Sequence, residues 1–361
     1  MAARTLVTLP DMFSHFLVQE PRVNKNYRTV KLASERWLAE KCSFSPEVQK
    51  RVNTCDFSYF CSIVAPTAPE ERLRTLCDYG NWVFPFDDMF DNGHLTSDVE
   101  TSRQVLDSLM SDMLGRCYMG TKLPLVQAHD DIFKRLSEVE FMLSFLQERY
   151  VKHTQMYAEG VARHVEAFTS HCPPSLQDML QTRRMSVGVA PVYPFQEYAE
   201  SLQMPDEVFE SPAIQDLERI GGDLIILTND ILSYRKEEAS ICSGASEGCP
   251  FNMVAVCRMN GKSAQEAFDT IGSLLEDSHL EWDEVMSRLP DWDAEHDDEV
   301  ERYIKCIQNV VQANLSWRQW CRCSLHSKRY FGVDGPQVRK TWTIDVLVNP
   351  PYLSNPAEAA Y

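Results

Sequence analysis

The chain has 361 residues, 44 % apolar and 24 % charged, and its 53 acidic side chains against 35 basic ones leave a net charge of −18. That length holds one large core or two modest ones, and the composition is that of an ordinary globular protein. So acidic a surface repels nucleic acid and anionic membranes, and an anionic small molecule would need metal ions or a local Arg and Lys cluster to bind.

The N-terminus has no basic segment followed by a long apolar run, so no secretory signal is expected. No stretch approaches the ~20 apolar residues that span a bilayer. The 12 cysteines form no C-x-x-C pair, and Cys321 and Cys323 lack a second ligand pair nearby. They read as thiols of a reducing, cytoplasmic compartment.

Apolar residues recur at helical spacing over 101–115, 130–171, 212–236, 263–286 and 298–330. No alternating strand run lies between turn clusters. Gly and Pro fall between the helical stretches, as at Pro66 and Pro69, Pro173 and Pro174, and over 243–250. With no internal repeat and no Gly/Ser linker, the chain reads as all-α. We expect one domain over 1–361, with 1–20 and 345–361 peripheral or flexible. Segment 239–249, small and polar, and the Pro-bearing tail from Asn349 read as mobile.

Two acidic clusters stand out. In the first, Trp82-Val83-Phe84-Pro85-Phe86 runs into Asp87-Asp88-Met89-Phe90-Asp91. On a helix Asp87 and Asp91 share a face one turn apart, and like charges so placed repel unless something compensates them. Carboxylate oxygens at the edge of an apolar surface suit a hard divalent cation. A solvated helix end, its acids complementing the helix dipole, explains the cluster equally well. In the second, Asn229, Ser233 and Glu237 follow the apolar run Leu224-Ile225-Ile226-Leu227 at intervals of four. They form one stripe of oxygen donors with Lys236 beside it, fit for a hard cation and a phosphate. A polar helix face with Glu237 paired to a neighbour is the plainer reading.

Positive charge is offered at Arg183-Arg184, ahead of a break expected near Pro191, and at Arg329-Tyr330 behind Trp317 and Trp320. Arginine donates two parallel bonds to phosphate, and a tyrosine hydroxyl adds another. Each pair alone is unremarkable on a protein surface.

Taken in order, D-D-x-x-D at Asp87, N-D-x-x-S-x-x-x-E at Asn229 and the Arg329-Tyr330 pair resemble the class I terpene synthases, most of all the fungal, basidiomycete-type sesquiterpene synthases. Arg22-Val23-Asn24 with Ser34, Trp37 and Leu38 resembles that family's opening helix, and Pro250-Phe251-Asn252 with Gly261, Gln265 and Ala267 the helix after its loop. The resemblance covers residues 20 to 335. It implies a helical bundle around an apolar cavity, three Mg2+ ions, and farnesyl diphosphate as substrate. The carbocation left by its ionisation would cyclise to a sesquiterpene hydrocarbon or alcohol.

By the same resemblance Asp87 would bind two ions, with Asp88 and Asp91 ligating or supporting. Asn229, Ser233 and Glu237 would hold the third. Arg183 would sense the diphosphate, or Arg184 if the helix is shifted by one residue. Ser186 and Val187 would fall on a helix break, and Lys236, Arg329 and Tyr330 would hold the diphosphate. The cation must be shielded from water by apolar and aromatic walls, for which Phe60, Trp82, Phe84, Phe86, Trp317 and Trp320 are the candidates; for each, ordinary core is the plainer reading.

Geranyl and geranylgeranyl diphosphate are the alternative substrates, and a non-catalytic all-helical binding protein is the alternative class. A chain-elongating prenyl transferase would need a second D-D-x-x-D, and the acidic stretch 291–301 lacks that spacing. No nucleic acid partner and no stable membrane insertion are expected, and the chain is expected to be a monomer or a homodimer.

Overall fold

The computed structural model describes residues 3–91, 93, 95–138, 144–168, 174–243, 250–292, 296–320 and 342–353. Strand β1 (Arg4–Thr8) is followed by helices α1 (Tyr27–Lys41), α2 (Pro46–Cys55), α3 (Phe57–Val64), α4 (Glu70–Asp91), α5 (Val99–Met113), α6 (Pro124–Ser137) and α7 (Ser144–Phe168). Then come α8 (Leu176–Ser186), α9 (Val192–Glu200), α10 (Asp206–Glu210), α11 (Pro212–Cys242), α12 (Met253–Met259), α13 (Ala264–Ser287), α14 (Asp297–Trp320) and strand β2 (Thr343–Leu347). The all-α expectation holds.

Local chemistry starts these helices where they start. Ser45, Asp98, Ser175 and Asn252 each accept a bond from a backbone N–H of the first turn of α2, α5, α8 and α12. Ser263 and Glu266 form a reciprocal capping box at α13. Pro212 opens α11 at a position where its missing N–H costs nothing. From Leu224 to Leu227 that helix is apolar and buried on every side, which marks it as an interior helix. It packs against α13, α14, α8 and α12, while α4 packs against α1, α3 and α6. Helix α3 packs on both α4 and α14, and α14 on α11, so the two helices that carry acidic clusters are tied through that pair; α8 packs on both α7 and α11.

Three sequence expectations are corrected. The stretch 130–171 is not one helix: α6 ends at Ser137 and α7 begins at Ser144. Residues 239–242, read as mobile, continue α11 to Cys242; residues 244–249 lie outside the described residues. The described parts of both chain ends are packed rather than peripheral, through strands that were not anticipated. β1 and β2 pair antiparallel, Arg4 opposite Leu347 and Thr8 opposite Thr343. Val7 and Val346 are buried beneath the pair. Buried Arg258 donates to the carbonyls of Leu347 (2.9 Å) and Val348 (2.6 Å), and Glu238 accepts from the N–H of Leu347. Tyr352, in the tail, meets the hydroxyl of Tyr234 at 2.5 Å. Five-residue strands at opposite ends of a chain are too short for alternation to reveal, and only their pairing defines them.

Candidate active site

The C-terminal turns of α4 present Asp87, Asp88 and Asp91. Asp87 accepts a bond of 2.7 Å from the hydroxyl of Tyr157 on α7. Two turns along α7, Nδ1 of His164 stands 3.3 Å from Asp91. Burial, with Arg183 nearby, lowers the His164 pKa to about 3, so the ring is neutral. Burial pushes the Asp87 carboxyl up to about 6, and the charge of Asp88 adds to this, while the Tyr157 bond and Arg183 oppose it. Asp91 is raised well above the carboxylate range, first by burial and then by Asp87. Yet 38 % of its side chain remains open to solvent. Asp91 is thus flanked by protein yet reached by water, in a cluster of like charges. The repulsion within it favours a cation, which is the fit expected of a divalent metal site.

The second cluster lies on α11. Ser233 is buried, Asn229 and Glu237 are half-buried, and Lys236 is exposed. The side-chain amide of Asn252, at the start of α12, donates to Glu237 (2.9 Å), Ser233 (3.3 Å) and the carbonyl of Asp230 (3.0 Å). Asp230 itself turns the other way. It pairs with Arg183 at 2.6 Å and accepts from the N–H of Met253 at 2.7 Å.

The two clusters lie within electrostatic reach of one another. Asp91 and Glu237 repel one another, and Arg183 attracts Asp87, Asp91, Glu237 and Asp230. They are also joined by contact. His164, beside Asp91, stacks on Phe251 with ring centroids 3.7 Å apart, and the next residue is Asn252, bonded to Glu237. The guanidinium of Arg183 lies 5.6 Å from the same Phe251 ring. Arg184 faces elsewhere, with two bonds of 2.7 Å to Asp223. Among the described residues no three His, Cys, Asp or Glu side chains gather as a ready cage. Asp87 and Asp91 are held by Tyr157 and His164, and the stripe on α11 adds an amide and a hydroxyl to its one carboxylate.

Helix α8 ends at Ser186, and Gly188 takes a left-handed φ of 71°, where a side chain is strained. The break sits against α7: a Cβ on Gly160 would lie 2.5 Å from the Met185 carbonyl carbon and 2.6 Å from the Ser186 nitrogen. One face of α7 thus touches both carboxylates, through Tyr157 and His164, and the break through Gly160. Gly160→Ala is expected to destabilise the protein by about 1–3 kcal/mol and to lower turnover beyond the loss of folded protein. Denaturant melts with assays on the folded fraction check this.

A sequence model described as "Terpene synthase family 2, C-terminal metal binding" matches residues 78–281, a span that contains both acidic clusters and the break. Silphinene synthase of Penicillium patulum is 31 % identical over 95 % of this chain and 90 % of its own length. The chain belongs to the terpene synthase family. Sesquiterpene synthase 1 of Postia placenta is 27 % identical over 96 % of each chain. The crystal structure of germacradien-4-ol synthase from Streptomyces citricolor superposes with a TM-score of 0.70 at 19 % identity, covering 83 % of this chain and 95 % of that one. At that identity the likeness is one of fold, and it identifies the helical bundle as the class I terpenoid synthase fold.

In this terpene synthase the six aromatic candidates divide. Trp82 and Phe86 are core: Trp82 stacks on Phe86, lies tilted against His129 and donates to the carbonyl of Leu125. Phe84, Phe60 and Trp317 pack with Phe57 into a separate cluster, Phe84 lying 4.0 Å from Phe57 and 5.1 Å from Trp317 between ring centroids. Phe84 lies three residues before Asp87, on the same side of α4. The side chain of Trp320, and Arg329 with Tyr330, lie outside the described residues. Sequence reasoning missed the roles of Tyr157, His164, Asp230, Phe251 and Asn252. Phe251 and Asn252 stand in the sequence only as part of the resemblance and Asp230 only inside the second motif, and neither Tyr157 nor His164 stands at a spacing that advertises it. No helix among the described residues is long and apolar enough to cross a membrane.

Proposed function

We propose that this terpene synthase is a magnesium-dependent sesquiterpene synthase. It breaks the C1–O bond of farnesyl diphosphate, the electron pair leaving with diphosphate, and closes rings within the allylic cation that remains. The observation that carries this reading is the convergence of two oxygen-ligand clusters on the guanidinium of Arg183. The printed name of the Postia relative and the metal-binding description of the family model support it.

Asp87, with Asp88 and Asp91, would hold two of three Mg2+ ions and Asn229, Ser233 and Glu237 the third. When bound, the ions supply the neutralisation that a departing diphosphate needs. Arg183 binds the same diphosphate by paired donation and is the sensor; Lys236, Arg329 and Tyr330 complete its hold. Ser186 and Val187 sit on the break that links Arg183 to α7. Phe84, Phe60 and Trp317 exclude water and offer π faces to the cation. It is finally discharged by proton loss or by water. The enzyme acts in the cytoplasm.

The test is incubation with geranyl, farnesyl and geranylgeranyl diphosphate, each with and without Mg2+, and mass spectrometry of the volatiles. Cyclic C15 products from farnesyl diphosphate, only with metal, are expected. Cyclic products only from a C10 or C20 substrate would overturn the choice of substrate. Release of no diphosphate from any of them would overturn the catalytic reading.

A further inference from the structure

Asn252 is buried completely, and its amide does more than start a helix. Its Oδ1 accepts from the N–H of Val254 at 2.8 Å, which caps α12. Serine caps a helix as well as asparagine does, so capping alone does not call for a carboxamide. The amide nitrogen adds the donors to Ser233 Oγ and Glu237 Oε2, two members of the α11 stripe, and to the carbonyl of Asp230 between the stripe and Arg183. An exposed-side Glu and a small hydroxyl have several rotamers each, and fixing them before a ligand arrives removes an entropic cost from binding. The preceding residue, Phe251, stacks on His164, which stands against Asp91. Two consecutive residues therefore reach both acidic clusters, Asn252 directly and Phe251 by way of His164.

We infer that Asn252 is a positioning residue, which presets Ser233 and Glu237 to receive a divalent cation and, through Phe251 and His164, keeps that stripe in register with Asp91. The inference rests on the metal-binding reading of the α11 stripe given above. Outer partners of metal ligands are worth about 10–100-fold in metal affinity when removed.

The test is a Mn2+ titration followed by electron paramagnetic resonance in the presence of inorganic diphosphate, on wild type, Asn229→Ala and Asn252→Ser. Serine keeps the cap and loses the amide donors. Asn252→Ser is expected to bind Mn2+ about tenfold or more weakly with a metal-free thermal midpoint close to wild type, and the concentration of Mg2+ giving half-maximal turnover should rise in step. Asn252→Thr, which also caps and also lacks the amide, is the second variant should serine not fold. Wild-type Mn2+ affinity in a folded variant, alongside a loss in Asn229→Ala, would overturn the inference and leave the metal site standing. Failure of wild type itself to bind Mn2+ with diphosphate would overturn both. A fall in thermal midpoint with unchanged Mn2+ affinity would reduce Asn252 to a cap.

Discussion

Asp87→Asn is expected to reduce turnover about a thousandfold and, at pH 8, to make the metal-free protein more stable rather than less. The amide oxygen still accepts the Tyr157 hydroxyl, which now donates to Asp87 at 2.7 Å, so what is removed is charge. The sign follows from the raised pKa. A carboxyl at about 6 in the folded protein, against 3.8 as its ordinary value, binds its proton more tightly folded than unfolded. Its favourable contribution is full below about pH 4 and is lost as pH rises through 6. Above that range the metal-free fold carries a half-buried, poorly solvated charge that Asn lacks, and the variant gains on the order of 1 kcal/mol. The gain should vanish in melts at pH 4. Near-normal turnover with Mg2+ would remove Asp87 from the site, and a destabilised variant at pH 8 would show that the carboxylate is structural.

Arg183→Lys and Arg184→Lys are expected to differ sharply although both keep a positive charge. Arg183 is turned toward both clusters, paired with Asp230 and attracted by Asp91 and Glu237. Lysine there cannot offer two parallel donors to a phosphate, and kcat should fall about a hundredfold. Arg184 grips Asp223, which Arg219 also reaches at 3.4 Å. Its replacement should cost about 1 kcal/mol of stability or less and leave kcat nearly unchanged. Steady-state kinetics on the two purified variants decide the matter. Equal losses in both, or a larger one in Arg184→Lys, would reassign the sensor.

Much of the site was legible because its chemistry is local. Asp87 and Asp91 lie one turn apart, and Asn229, Ser233 and Glu237 follow at intervals of four, so helical geometry alone aligns each set on a face. The long helices α11, α13 and α14 were legible for the same reason: apolar periodicity over many residues leaves few alternatives. By resemblance the order of the motifs also points to the terpene synthases.

The relations between distant segments had to come from tertiary structure. Tyr157 and His164 are an ordinary pair of helix residues until α7 is laid against α4, and Asn252 is an ordinary cap until α12 meets the stripe on α11. The sequence left Arg183 and Arg184 open, and packing separated them by aiming one at Asp230 and the other at Asp223. Trp82 and Phe84, two residues apart, looked equally fit to line a cavity, yet a helix sends them to different sides, and only the neighbours of α4 show which side is core. The paired strands at the chain ends follow the same rule. A residue pattern specifies what each segment presents, because that depends on covalent spacing, whereas which surfaces meet depends on packing the whole chain at once.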